Sequence, residues 1–433
     1  MNNRPGNAIS GLADVSKQGA NGTIRFYARS GREERSIVKA SFYTGITGGI
    51  LWYVVILYWA ALGFSSEEIG IMGGLGQGVG IVTYLFGGFL ADKLGRKRLF
   101  LVGLVSTAVG LTMFLTERNF VVFTFGYGLT SLGGSLSWPS LYALMADKAA
   151  PSEMKFFFAV QGFSSQIGTT IATFFGIFGP TFLRDGYGIE LSDAYGYVFL
   201  VAAVCAIVPI LYVLRVSEGG TRAVKLSVHF TKKTQKTLLV YCLQNALIGA
   251  GAALVIPWLP IIFHEGMGAT EAQVAMIITL SNSILAVGWI VVPKFAELRG
   301  SVALIAGSQI VSCLPLVLIP YSPSLVFVAV LYSSRQFLML VPSPVLNAYL
   351  VNIVSGGIRA SFLALGQVAW QLPFSVAYAA AGYLWANEYS KVSPFLIAAA
   401  LYIAASVVFW AYFRNIKEIE PERGAKIVAP PDR

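Results

Sequence analysis

The chain has 433 residues, of which 56% are hydrophobic and only 12% are charged, and its formal net charge is +10. Because soluble domains carry about 25% charged residues, this composition excludes an ordinary soluble domain and is typical of a chain that lies mostly in lipid. The basic balance alone would also suit a nucleic-acid-binding protein, so the position of the charges has to decide between the two.

The chain begins with a polar tail, residues 1–38, that has no apolar core and no cleavage site, so it is not predicted to be a signal peptide. After it, apolar segments of about 20 residues recur, each long enough to cross a hydrocarbon layer of about 30 Å as a helix. Backbone groups in lipid must satisfy their own hydrogen bonds, so these segments predict helices and not strands. Twelve spans are predicted, at residues 42–63, 68–91, 99–116, 120–146, 156–183, 195–214, 237–263, 272–292, 302–320, 324–350, 360–385 and 395–413.

The lysine and arginine residues are distributed very unevenly between the two sides of these predicted spans. Apart from Arg335, all of them lie in the tails or in the even-numbered connections, except for Arg118, Arg184 and Lys391 in the odd-numbered ones. Such an asymmetry predicts that both termini are cytoplasmic and that the protein is a multi-pass protein of the plasma (inner) membrane. The net charge is explained by this topology, so no nucleic-acid partner is expected.

A polar connection, residues 216–236, divides the spans into two sets of six, with predicted bundles at 39–215 and 237–413 and a cytoplasmic tail at 414–433. Polar residues recur between the two sets at an offset of 205 positions: Gln77 with Asn282, Asp92 with Glu297, and Gln166 with Gln371. The predicted fold class is therefore an all-α membrane protein of twelve transmembrane helices in two pseudo-symmetric six-helix bundles. In transporters built from such repeats, the site lies between the repeats near the midplane.

The sequence GFLADKLGRK, Gly88 to Lys97, lies between the second and third spans and fits G-x-L-x-D-[RK]-x-G-[RK]-[RK] at every fixed position. With twelve spans and a 6+6 repeat, this motif resembles the signature of the major facilitator superfamily, over roughly Ser36 to Phe413. The resemblance implies an alternating-access carrier whose cavity is lined mainly by helices 1, 4, 7 and 10. It also implies that the motif latches the halves together on the cytoplasmic side in the outward-open state, through Gly88, Asp92, Lys93, Gly95, Arg96 and Lys97.

Other family motifs are missing, so no substrate class follows from the resemblance. The fourth span lacks the arginine of a proton-coupling motif, and the fifth lacks the paired glycines of the drug-antiporter motif. The sequence RVSEGG after the sixth span does not match the sugar-porter motif. The stretch GGLGQGVG, residues 73–80, lies inside the second span and predicts close helix packing and not a nucleotide-binding loop.

None of the 21 acidic residues lies in the middle of a predicted span, and both histidines lie in connections. Since intramembrane carboxylates are the usual proton relays, proton symport is disfavoured, although Asp147, Glu67 and Glu68 at span ends keep it open. The same absence of an intramembrane acid or base, and of clustered Cys and His residues, predicts that the protein is not an enzyme and has neither a cofactor nor a metal.

Arg335 begins about eleven residues into its predicted span, roughly 17 Å from the outer end at 1.5 Å per residue. A charge at that depth costs about 3 kcal/mol on insertion scales, and no acidic side chain in the spans can offset it. Cavity water, a polar neighbour such as Tyr332, or an anion supplied by the substrate could stabilise it. We expect Arg335 to face the central cavity and to bind an anionic group; the alternative is a structural arginine bonded to backbone carbonyls and water.

Further polar residues lie at depths that suit a midplane site, and each could instead form an ordinary interhelical hydrogen bond. The predicted substrate-binding residues are Arg335, Asn245, Asn282, Gln166, Gln371, Tyr332 and Tyr53.

The sequence thus predicts a monomeric secondary transporter in the lipid bilayer that moves a small organic solute, favoured to be an anion, as a facilitator, exchanger or exporter. Efflux of lipophilic drugs is the first alternative and sugar transport the second. A membrane sensor or scaffold that transports nothing is the alternative of another class, although neither tail contains a recognisable output domain.

Overall fold

The computed structural model describes residues 24–148, 154–218, 231–299, 301–340, 342–354, 358–386, 388–389 and 391–416. Within these ranges the chain is helical and forms no strand, which confirms the predicted all-α class. Much of the predicted tails and of the 216–236 connection lies outside the described residues.

The helices follow one another with short connections. They are α1 (Arg32–Ala61), α2 (Ser66–Leu94), α3 (Arg96–Met113), α4 (Phe120–Lys148), α5 (Met154–Tyr187), α6 (Leu191–Leu214), α7 (Lys232–Gly266), α8 (Glu271–Arg299), α9 (Ser301–Tyr321), α10 (Leu325–Leu340), α11 (Ser343–Ile353), α12 (Arg359–Trp385) and α13 (Ser393–Phe413). Among the described residues, five of them are long and apolar enough to cross a membrane by length and composition: α1, α6, α7, α9 and α13. The number of spans and the side of each terminus stay predictions.

The tenth predicted span is not one continuous helix. Helix α10 ends at Leu340 and α11 begins at Ser343, directly after Pro342. Pro342 and Pro344 have no backbone N–H to donate to the preceding turn, so two helical hydrogen bonds are lost within three residues, which favours a break at this point.

Helices α2 and α8 begin in the same way, with a reciprocal cap. At α2 the backbone N–H of Ser65 donates to Oε2 of Glu68 (2.8 Å), and the N–H of Glu68 donates back to Oγ of Ser65 (3.3 Å). Thr270 and Gln273 form the equivalent pair at α8, at 2.9 and 3.3 Å. Such a capping box satisfies donors that the first turn leaves free, which fixes where each helix starts.

The glycines of α2 allow the close packing that their spacing predicts. A Cβ on Gly70 would lie 2.8 Å from the Cα of Gly382, and a Cβ on Gly74 would lie 2.6 Å from the carbonyl oxygen of Ser375, both on α12. On another face of α2, a Cβ on Gly76 would meet the ring of Tyr127 on α4 at 2.6 Å. Small residues at these positions bring helix backbones together.

One helix crossing occurs twice, once in each predicted half. A Cβ on Gly45 of α1 would lie 2.0 Å from the carbonyl oxygen of Ser165 on α5, and a Cβ on Gly249 of α7 would lie 2.2 Å from that of Trp370 on α12. Helix α1 packs on α6 in the first half, and α7 packs on α13 in the second. Helix α3 packs on α4 and α6, and its counterpart α9 packs on α10 and α13. This correspondence supports the internal repeat, while the exact domain boundaries remain a prediction.

The predicted halves meet along two helix pairs, α2 with α12 and α5 with α8. At the end where α1 ends and α2 and α8 begin, one apolar cluster contains residues of both halves, including Trp59, Met72, Trp258 and Trp385. We call this the closed end. At the opposite end, which we call the basic end, the buried apolar side chains described fall into two clusters, one in each half.

An ionic contact also joins the halves at the closed end. Nη1 of Arg184 on α5 lies 3.7 Å from Oε1 of Glu271 on α8, and Nε2 of His264 lies 3.8 Å from the same oxygen. The hydrogen bond from Arg184 to Asp185 (2.8 Å) raises the pKa of Arg184, so its guanidinium stays charged.

Candidate functional site

Buried polar side chains from four helices meet where α1 approaches the second half. They are Tyr53 of α1, Asn282 of α8, Tyr332, Arg335 and Gln336 of α10, and Tyr402 of α13, and none is more than 9% exposed. We call this group the Arg335 cluster. Four of its members, Tyr53, Asn282, Tyr332 and Arg335, are among the seven substrate-binding residues that the sequence predicts.

Local helix geometry positions these side chains. Tyr332, Arg335 and Gln336 occupy positions i, i+3 and i+4 of α10, so they share one face of that helix. Tyr53 lies in a short π-helical segment of α1, Ile50–Val54, where the backbone is wider than in a regular α-helix. Such segments occur frequently at functional sites, because the extra residue per turn redirects the side chains around it.

Hydrogen bonds connect the cluster across the two predicted halves. The side-chain oxygen of Asn282 accepts from the hydroxyl of Tyr53 (3.2 Å) and from Nε2 of Gln336 (2.9 Å). Next to these residues on the same helices, the hydroxyls of Ser281 and Ser333 bond to each other at 2.9 Å and tie α8 to α10. The bond from Tyr53 to Asn282 is therefore a direct polar link between α1 and the second half.

The guanidinium of Arg335 has a neutral environment. Its Nη2 donates to the hydroxyl of Tyr402 (2.9 Å), and its central carbon lies 5.6 Å from the centre of the Tyr402 ring. Within the described ranges, no carboxylate lies within 4.0 Å of it, although the residue is only 4% exposed. Tyr402 therefore stabilises the charge through a hydrogen bond and a cation–π contact.

Two donors in the cluster have no protein acceptor among the described residues. They are Nε of Arg335 and Nδ2 of Asn282. A buried donor without an acceptor costs roughly 1–3 kcal/mol, and more when it is charged, so such groups favour the binding of an acceptor. Together with the uncompensated charge, they give the cluster the chemistry of an anion-binding site.

Replacing Tyr402 by phenylalanine tests whether this hydroxyl stabilises the buried charge. Because Nη2 of Arg335 would lose its acceptor, we expect Tyr402→Phe to lower the stability of the unliganded protein by about 1.5–3 kcal/mol, read as a lower melting temperature. The control is Tyr383→Phe on α12, a side chain that is 61% exposed, for which we expect no change. Equal melting temperatures for the two variants would contradict the role of Tyr402.

The other predicted substrate-binding residues lie outside this cluster. Nε2 of Gln371 on α12 donates to the backbone oxygen (3.0 Å) and to Oε1 (2.8 Å) of Gln77 on α2, which links the halves at a second point. Nδ2 of Asn245 donates to the carbonyl of Tyr241 in its own helix (2.9 Å), and Gln166 is half-buried on α5. In the part of the chain that the structure describes, no hydrogen bond joins these three to the Arg335 cluster.

The loop motif between α2 and α3 is described only in part, since the surroundings of Gly88 and the side chains of Asp92 and Lys93 lie outside what the structure describes. Gly95 has φ of 91°, a conformation that glycine adopts readily, and it turns the chain between the two helices. Nη1 of Arg96 lies 2.5 Å from Oδ1 of Asp147 on α4, and the backbone N–H of Lys97 donates to Glu218 (2.9 Å). These contacts join the motif to the first half and to the start of the connection after it, and the gating role stays a prediction.

Sequence reasoning did not identify three residues of this region as site residues. Gln336 is less conspicuous than the charged Arg335 next to it, and Tyr402 is one of two tyrosines in a mostly apolar segment. Gln77 carries a usable signal, because it matches Asn282 of the cluster at the repeat offset.

Comparison with known proteins places the chain in a family. The family model described as Major Facilitator Superfamily matches residues 38–377. The quinolone resistance protein NorA of Staphylococcus aureus (strain MRSA252) is 29% identical over 107 residues, which are 25% of this chain and 27% of NorA. The multidrug resistance protein MdtH of Escherichia coli O1:K1 / APEC is 26% identical over 219 residues, which are 49% of this chain and 51% of MdtH. The matched regions thus span about a quarter to a half of these curated relatives.

Solved structures of transporters share the fold along most of the chain. A structure of the nucleoside transporter NupG superimposes with a TM-score of 0.71 at 15% identity, covering 88% of this chain and 99% of that one. A D-xylose-proton symporter gives a TM-score of 0.70 at 15% identity, covering 89% and 97%. The family match extends over most of the chain and the fold agrees with it, so the protein belongs to the major facilitator superfamily, a family of membrane transporters.

Proposed function

We propose that the protein is a secondary transporter that moves a small organic anion by alternating access, with the anionic group bound at the Arg335 cluster. The observation that carries this proposal is the buried guanidinium of Arg335, which has a neutral hydroxyl as its protein partner and a free Nε. We propose further that it is a monomer of two six-helix bundles in the plasma (inner) membrane, with both termini in the cytoplasm. The motif between α2 and α3 would act as its gate.

The chemistry of the free donors supports an anion. A carboxylate has two oxygens that accept up to four hydrogen bonds, and a guanidinium presents its donors in a fork that matches them. Nε of Arg335 and Nδ2 of Asn282 are the donors that such a group would satisfy. A neutral sugar would satisfy the amide but would leave the buried charge uncompensated.

The packing of the two ends supports a carrier mechanism. The apolar cluster at the closed end joins both halves, whereas the clusters at the basic end remain within their own halves. If the basic end faces the cytoplasm, this arrangement corresponds to an inward-facing state. Tyr53 covers the cluster from α1 through its bond to Asn282, so binding and release of a solute require this bond to break.

An anionic substrate also fits the lack of a membrane-embedded acid in the sequence. With a negative cell interior, export of one negative charge gains about 2.3 kcal/mol per 100 mV, so exit of an anion needs no coupled proton. An exporter or an exchanger is therefore favoured over proton-coupled uptake.

Efflux of lipophilic compounds is the second candidate. It is favoured by the similarity to NorA, named for quinolone resistance, and to MdtH, named for multidrug resistance. In that case an apolar cavity would determine binding, and Arg335 would be a structural residue held by Tyr402.

The test is a thermal-stability screen of the purified wild-type protein, followed by flux in liposomes. The screen compares acetate, benzoate and succinate with xylose, glucose and the lipophilic cation tetraphenylphosphonium. A ligand that prefers the folded state raises stability by RT ln(1 + [L]/Kd), about 2.7 kcal/mol at 100 times Kd. We expect a carboxylate to stabilise the protein and to be transported.

Stabilisation by tetraphenylphosphonium or a sugar alone would contradict the anion proposal and support the corresponding alternative. Binding without any flux of the stabilising solute would instead favour a sensor or scaffold.

A further inference from the structure

The amide of Asn282 in the Arg335 cluster is only partly satisfied, although the residue is only 1% exposed. Its Oδ1 accepts two hydrogen bonds, from Nε2 of Gln336 (2.9 Å) and from the hydroxyl of Tyr53 (3.2 Å). Its Nδ2 has no acceptor among the described residues. One buried amide therefore has a filled acceptor and an empty donor side by side.

The equivalent amide of the first half has different surroundings. Gln77 matches Asn282 at the repeat offset, and it lies on α2 as Asn282 lies on α8. Nε2 of Gln77 donates to the hydroxyl of Tyr127 (2.9 Å), and its Oε1 accepts from Nε2 of Gln371 (2.8 Å). Protein groups thus satisfy both ends of this amide, whereas Asn282 keeps a donor that no described group accepts. Of the two equivalent positions, Asn282 is the one with capacity for a ligand.

The hydrogen bond from Tyr53 is the one that a bound solute would replace. An O–H···O bond is usually about 2.7–2.8 Å long, so the bond from Tyr53 is a long one, whereas the bond from Gln336 has an ordinary N–H···O length. Tyr53 belongs to α1 in the opposite half and would leave when the halves separate. Gln336 belongs to α10, in the same half as Asn282, so its bond would remain.

Loss of the Tyr53 bond leaves one acceptor position of Oδ1 empty, next to the free Nδ2 of the same amide. A carboxylate has acceptors only, so it can satisfy Nδ2 but not Oδ1. A solute with a hydrogen-bond donor beside its carboxylate would satisfy both atoms of Asn282. Such a solute would bind more tightly than a plain carboxylate, because buried polar groups favour ligands that complete their hydrogen bonds.

The charge of Arg335 determines what kind of donor this is. Asn282 is bonded to Gln336, the residue next to Arg335, so a donor on Oδ1 would lie close to the guanidinium. Within the described ranges no carboxylate lies within 4.0 Å of Arg335, and the residue is 4% exposed. A second cation would be repelled strongly where water is excluded, which disfavours an ammonium group. A hydroxyl donates the same hydrogen bond without a charge.

We propose that the solute is a hydroxycarboxylate whose carboxylate binds Nε of Arg335 and Nδ2 of Asn282, and whose hydroxyl donates to Oδ1 of Asn282 in place of Tyr53. A hydroxyl on the carbon next to the carboxylate fits best, because donor and acceptor then lie side by side, as they do in the amide. This inference rests on the proposed function, because it takes the carboxylate from it. Gln336 becomes a positioning residue, since its bond to Oδ1 fixes the orientation of the amide.

The test measures thermal stabilisation of the wild-type protein by carboxylates that share the propionate skeleton. They are propionate, each enantiomer of lactate, 2-methoxypropionate and alanine. Lactate adds a hydroxyl to propionate, 2-methoxypropionate keeps the oxygen but lacks the donor, and alanine replaces the hydroxyl by an ammonium group. The neutral compound 1,2-propanediol has hydroxyls without a carboxylate.

We expect one enantiomer of lactate to bind roughly three- to tenfold more tightly than propionate, because one further hydrogen bond forms. Alanine and 2-methoxypropionate should both bind more weakly than lactate. Equal affinities for lactate and propionate, or for lactate and 2-methoxypropionate, would overturn the hydroxycarboxylate proposal, while the anion site would stand. If 1,2-propanediol stabilises the protein and no carboxylate does, or if none of these compounds does, the proposed function is wrong as well.

Variants of the amide and its neighbours locate the gain from the hydroxyl. In Asn282→Leu, which removes both amide groups, the ratio of lactate to propionate affinity should fall to about one. The control is Ser281→Ala, which removes the adjacent hydrogen bond to Ser333 between the same two helices and should keep the wild-type ratio. An unchanged ratio in Asn282→Leu would contradict the proposal. The comparison of ligands in the wild type tests it even if Asn282→Leu does not fold.

Tyr53→Phe tests whether the solute takes the place of the phenol. We expect this variant to bind lactate more tightly than the wild type does, because the hydroxyl of lactate no longer competes with that of Tyr53 for Oδ1 of Asn282. Loss of lactate binding in Tyr53→Phe would show that the phenol itself holds the solute, and the proposed exchange of donors would be wrong.

Discussion

Arg335→Gln is expected to reduce the affinity for a stabilising carboxylate by a factor of roughly 30 to 1000, equivalent to about 2–4 kcal/mol. The guanidinium is buried, its only protein hydrogen bond among the described residues is to a neutral hydroxyl, and its Nε is free. Glutamine is polar but shorter and has no charge, so a bound anion would lose its counter-ion in an environment of low dielectric. The measurement is the concentration dependence of the melting temperature, supported by flux in liposomes.

Two further variants show whether that loss of affinity comes from the charge and from the shape of the guanidinium. Arg335→Lys keeps the charge and removes the planar fork, so its affinity should lie between those of the wild type and Arg335→Gln. Arg414→Gln removes an arginine that lies 4.3 Å over the ring of Trp410 at the end of α13, and it should leave affinity unchanged. Unaltered carboxylate affinity in both Arg335 variants would show that the residue is structural, and the anion proposal would fall.

Gly45→Ala is expected to have the largest effect on folding. The added Cβ would lie 2.0 Å from the carbonyl oxygen and 2.8 Å from the carbonyl carbon of Ser165, which are backbone atoms that cannot rotate away. Helices α1 and α5 would have to separate, which would also break the bond from Thr169 Oγ1 to the carbonyl of Gly45 (3.0 Å). We expect a loss of more than about 3 kcal/mol, seen as little or no monodisperse protein after purification.

The control for this prediction is Gly48→Ala, three residues further along the same helix. Its Cβ meets no atom within 4 Å, and alanine is about 0.5–1 kcal/mol better than glycine in a helix, so stability should stay equal or rise slightly. Comparable yields and melting temperatures for Gly45→Ala and Gly48→Ala would contradict the close crossing of α1 and α5.

The features that the sequence could predict are those carried by local pattern. Apolar length and the loop motif identified helices and the family, because the need for internal backbone hydrogen bonds leaves few alternatives in lipid. Arg335 was identifiable because a charge in an apolar segment is costly wherever it lies. Its partner was not, since Tyr402 is 67 positions away and only helix packing brings the two together.

The glycines show the same limit of prediction from sequence. The run in α2 predicted close packing through its spacing, whereas Gly45, Gly48 and Gly134 look alike in sequence and have opposite surroundings. Whether a glycine allows two backbones to touch or faces open space depends on what lies opposite it. The break at Pro342 was missed for another reason, because proline is tolerated within several other helices of this protein.

The apolar cluster at the closed end has a consequence for the temperature dependence of any opening there. Separating the halves at Trp59, Trp258 and Trp385 would place large apolar surfaces in water. Hydration of such surfaces carries a positive heat capacity, and the cost of hydrating them falls on cooling. The balance between opening this end and opening the other would then follow a curved function of temperature, with cold favouring whichever state exposes more of these side chains.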